Sequence, residues 1–92
     1  MAAVTVKLPT QLRAAAGGAA KIPVDGETVG AALEALYTEH PELRDSLSDG
    51  DGGLRRFVNV YVDGEDIRFQ QGLETAINEG NEITILPAVA GG

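Results

Sequence analysis

The chain has 92 residues, which suits one small domain with a single thin core, and not two domains. Hydrophobic residues make up 43%, but with only two Phe, two Tyr and no Trp the core must come from Val, Ile, Leu and Ala. The absence of cysteine excludes disulfides, thiolate metal sites, iron–sulfur clusters and a cysteine nucleophile, and a formal net charge of −7, from 14 acids against 7 bases, argues against nucleic acid.

In chain order, "AVTVKLP" alternates strictly. Val4, Val6 and Leu8 point one way, Thr5 and Lys7 the other, so a half-buried strand is expected up to Pro9. Gly17-Gly18 supply a turn, and Lys21 to Val24 form a second short strand, completing a hairpin. Thr28 then stands as the N-cap of a helix. Val29, Ala32, Leu33, Leu36 and Tyr37 fall on one apolar stripe, and Pro41 marks the stop. Leu43 and Leu47 add one short helical turn, and Ser48 to Gly53 form a loop by composition.

"LRRFVNVYVDG" alternates again, with Val58, Val60 and Val62 on one face and Phe57, Asn59 and Tyr61 on the other. As the most β-branched run it is expected at the centre of the sheet. Asp63-Gly64 is a turn, "EDIRF" a short return strand, and "NEITILP" a last strand stopped by Pro87. The inventory predicts an α+β domain: a four- to five-stranded mixed sheet with one main helix on one face. That is the β-grasp architecture, over residues 1–86, followed by an extended tail over residues 87–92.

The tail has a chemistry of its own. Freed from the sheet, Pro87 to Gly92 would reach about 20 Å at roughly 3.3–3.6 Å per residue. Ala88, Val89 and Ala90 are slim and apolar, and Gly91 and Gly92 present only backbone to a narrow opening. The one reactive group at the tip is the Gly92 carboxylate. A carboxylate resists nucleophiles until a partner transfers an adenylyl group onto it from ATP. Sulfide or a persulfide can then displace AMP and leave a thiocarboxylate. The catalytic groups all belong to the partner, so the chain is expected to be no enzyme and to need no cofactor or metal.

"EGNEITILPAVAGG" (Glu79 to Gly92) resembles the C-terminal pattern of the ubiquitin-like sulfur carriers of the ThiS/MoaD family, with Asn81 in place of the usual acid and Ala88 in place of a second proline. Together with "FVNVYVDGEDIRF" (Phe57 to Phe69), it looks most like the CysO-like branch, which supplies sulfur for cysteine biosynthesis. The resemblance implies a ThiF/MoeB-like, ATP-dependent activating enzyme that adenylates Gly92. It also implies a sulfur-accepting enzyme, such as a PLP-dependent cysteine synthase or a thio-sugar synthase, and a zinc metalloprotease that trims the product. Residue by residue, Gly92 carries sulfur, Gly91 gives access, and Pro87 to Ala90 dock. Two other roles stay open: a protein modifier joined through Gly92, or the small subunit of a molybdopterin synthase-type complex.

Elsewhere, His40 is expected to be solvated or to cap a helix, and Asp63, Glu65 and Asp66 to be solvated turn residues and not metal ligands. Phe57, Tyr61 and Phe69, with Arg55, Arg56 and Arg68, form a candidate partner surface. No apolar run nears the roughly 20 residues needed to cross a bilayer, and no signal peptide is visible, so a cytoplasmic protein is expected.

Overall fold

The structure is a computed structural model that describes residues 2–50, 53–55 and 58–87. Its elements are β1 (Ala2–Lys7), α1 (Thr10–Arg13), β2 (Lys21–Gly26), α2 (Val29–Glu39), α3 (Pro41–Leu47), β3 (Val58–Val62), β4 (Glu65–Asp66) and β5 (Glu82–Pro87), with 3-10 turns at Ala14–Ala16, Ile67–Phe69 and Gly72–Glu74. The five strands form one mixed sheet in the order β2-β1-β5-β3-β4. β1 pairs antiparallel with β2 and parallel with β5, while β5 pairs antiparallel with β3. With α2 laid across one face, this is the β-grasp arrangement.

The alternation in β1 and β2 sends Val4, Val6, Ile22 and Val24 inward. Val60 and Val62 of β3 and Ile83 and Ile85 of β5 complete the sheet's contribution to the core. All five residues of the α2 stripe are buried against them, from Val29 to Tyr37. The Thr28 hydroxyl caps the helix by accepting from the Ala31 N–H at 3.1 Å. Close contact also depends on Gly26, where a Cβ would stand 2.6 Å from the Ala32 nitrogen.

Three expectations need correction. β3 is not the central strand: β5 is, flanked by β1 and β3. Centrality follows from which distant strand pairs with which, and β-branched composition reports only that one face is buried. Pro41 does more than stop a helix. It occupies the first turn of α3, where its missing N–H costs nothing, and α3 continues for seven residues with Leu43 and Leu47 fully buried. Finally, the hairpin between β1 and β2 is not a tight one, because α1 and a 3-10 turn are inserted before Gly17 and Gly18, which both take positive φ.

The sheet face away from α2 carries Thr5 and Lys7, Lys21, Pro23 and Asp25, Asn59 and Tyr61, and Glu82, Thr84 and Leu86. Among the described residues no helix is long and apolar enough to cross a membrane.

Candidate functional site

The candidate site is the base of the tail and the surface around it. β5 delivers that base. Ile83 and Ile85 have no exposed surface, so the strand is nailed to the core at alternate residues. Thr84 and Leu86 face the open side, and Leu86 is 43% exposed, one of two large apolar side chains so displayed among the described residues. The strand does not stop before Pro87: Pro87 is its last residue, in register with Val58. A proline fits there because it ends the ladder while giving up only its own N–H donor. Ala88, Val89, Ala90, Gly91 and Gly92 lie outside the described residues.

The opposite end of β5 is held by a polar lock. Asp63 sits in the β3–β4 turn with φ of 49°. Its Oδ1 accepts from the Glu82 N–H at 2.9 Å, and its Oδ2 accepts from Asn81 Nδ2 at 2.6 Å. Asn81 Oδ1 in turn accepts from the Asn78 N–H at 2.7 Å. Asn81 therefore uses both ends of its amide, and its donating half faces a carboxylate. An acid at this position could not donate, which accounts for Asn81 here. The sequence flagged Asn81 as a departure but gave no sign of its partner, eighteen residues away.

The candidate surface residues are only partly gathered. Arg55 and Arg68 line one apolar cleft of about 360 Å³ together with Val58, Asn59 and Leu73. Arg55 Nε donates to the Asp45 carbonyl at 3.0 Å. Arg68 forks onto Asp66, with Nη2 to Oδ2 at 2.7 Å, and this pairing holds the Asp66 carboxyl below its ordinary range. Tyr61 is half-buried on the open face, and Phe69, the last residue of its 3-10 turn, is 87% exposed. Phe57 and Arg56 lie outside the described residues. His40 links α2 to α3, and its N–H donates to the Leu36 carbonyl at 2.8 Å. No cluster of His, Asp or Glu able to hold a metal occurs among the described residues.

Against this geometry, the model of the ThiS family matches residues 6–92. The chain belongs to the ThiS family. It is 47% identical over 91 residues to the sulfur carrier protein CysO of Mycobacterium tuberculosis, covering 97% of this chain and 98% of that protein. Among solved structures, it matches a chain of the Amycolatopsis orientalis BexX/CysO complex with a TM-score of 0.89 and 43% identity, over 97% of this chain and 99% of that one. It also matches the small archaeal modifier protein 1 of Methanosarcina acetivorans, with a TM-score of 0.87 and 39% identity, over 100% and 98% of the two chains. The ThiS match thus spans the core, the open face and the Gly91-Gly92 terminus in one unit.

Proposed function

We propose that this chain is a sulfur carrier whose Gly92 carboxylate is the working group. An ATP-dependent activating enzyme adenylates Gly92 and releases pyrophosphate. Sulfide then displaces AMP and leaves the C-terminal thiocarboxylate directly. Where a persulfide attacks instead, loss of AMP leaves an acyl disulfide, and a thiol of the sulfur donor breaks its S–S bond to release the thiocarboxylate and form a disulfide. That group passes its sulfur to a biosynthetic acceptor, either a PLP-dependent cysteine synthase or a thio-sugar synthase, and in the cysteine route a zinc metalloprotease trims the product. The chain is substrate and not catalyst throughout. Its contribution is a tail, Pro87 to Gly91, slim enough to enter an active site from a strand whose Ile83 and Ile85 are fully buried in the core. Tyr61, Phe69, Arg55 and Arg68, with Phe57 and Arg56, serve as partner surface.

The observation that carries this reading is near full-length identity to a sulfur carrier at 47%, with the family match running through Gly92. Incubation with ATP, sulfide and candidate activating enzymes tests it. The intact mass should rise by the difference between one sulfur and one oxygen. A second reading is favoured by the likeness to the archaeal modifier protein. In that reading Gly92 forms isopeptide bonds with lysines of other proteins. A ladder of larger conjugates, with no sulfur gained by the free chain, would replace the first reading with the second.

A further inference from the structure

The open face of the sheet is divided by charge along the strand axis. At the end where β5 reaches Pro87, Lys7 and Lys21 are direct partners across the β1–β2 ladder, and both are exposed. Thr84 continues that row, opposite Lys7 on β5, and exposed Leu86 lies two residues further along. Neither lysine takes part in an ion pair among the described residues. Like charges directly opposite on one sheet face oppose folding, so the isolated domain gains nothing from this pairing. The other end of the sheet has the opposite sign: Asp63, Glu65, Glu79 and Glu82 lie around the β3–β4 turn and the start of β5, and Asp25 lies at the same end on the outer strand β2. A chain of net charge −7 thus shows a cationic corner beside the base of its tail.

We propose that Lys7, Lys21, Thr84 and Leu86 form a docking corner for an acidic surface of the enzyme that works on the tail. Partner carboxylates face the two lysines, and an apolar partner side chain covers Leu86. The acidic far end repels the same surface, so the chain arrives tail-end first. Such charges act mainly on encounter rate and orientation. The identity of the enzyme rests on the sulfur-carrier reading, whereas the chemistry of the corner does not.

Two measurements keep these apart. In the first, an octaglutamate peptide is titrated into the isotopically labelled chain at low ionic strength. Amide shifts should gather at Lys7, Lys21, Thr84 and Leu86, and vanish in K7T/K21T and at high salt. Shifts that are absent, or that spread evenly over Arg13, Arg44 and Arg55, overturn the corner. In the second, sulfur loading is followed with an activating enzyme that accepts the wild type. K7T/K21T should lower kcat/KM about tenfold through KM, with kcat retained, while the equally charged control Q70E/N78E stays near wild type. Equal losses in both variants overturn the assignment to that enzyme. If no enzyme loads the wild type, the carrier reading fails, and the peptide titration still decides the corner.

Discussion

At the residue scale, two side chains set testable electrostatics. Tyr37 has its pKa pushed up from 10.0 to about 12, first by burial and then by the Glu34 carboxylate. The neutral phenol is the form the fold accepts. Its stabilising contribution is therefore complete below pH 10 and falls as pH rises toward 12, because the unfolded chain loses that proton first. Tyr37→Phe should flatten this alkaline loss in urea titrations. Asn81 makes the sharper case. Asn81→Asp removes the donor to Asp63 and sets two carboxylates against each other, which should cost about 1 kcal/mol at neutral pH. One of the paired carboxyls then titrates high, so acidification toward pH 4 should restore part of the loss. A cost independent of pH would mean that Asp63 and Asn81 are not coupled.

At the element scale, α2 is bound tightly to β2. Gly26→Ala places a methyl 2.6 Å from the Ala32 nitrogen, and a backbone neighbour cannot swing aside. The expected loss is about 1–3 kcal/mol, read as a lower urea midpoint with an unchanged slope. Thr28→Ala should cost about 1 kcal/mol through the lost cap. These elements also show what the sequence could and could not reveal. The α2 stripe was legible residue for residue, because a 3.6-residue period is a local property. The Asp63-Gly64 turn and the strand alternations were legible for the same reason. The central place of β5 was not, since it depends on Val6 meeting Ile83 across the length of the chain. The full extent of α3 was also hidden, because proline reads as a stop until its place in a first turn is known.

At the scale of the whole molecule, the sulfur-carrier proposal separates fold from chemistry. Deleting Gly91 and Gly92 leaves every residue of the described core in place, so thermal unfolding should shift by less than about 0.5 kcal/mol in stability, while sulfur loading should be lost entirely. An unstable truncated chain would mean that the terminus also serves the fold. The sequence shows the tail motif and its carboxylate, and Ala88 to Gly92, which carry them, lie outside the described residues. The cationic corner was not legible in the sequence, because Lys7 and Lys21 are fourteen positions apart and become neighbours only through the β1–β2 register.

The position of β5 between β1 and β3 has a mechanical consequence. A tug on anything beyond Pro87 runs along the strand axis and is shared by two ladders at once, one on each side. Those bonds resist in shear, all together, and cannot be peeled in sequence as they would be on an outer strand. If an enzyme grips the terminus as proposed, it pulls against both ladders at once, and the body behind the strand should stay folded.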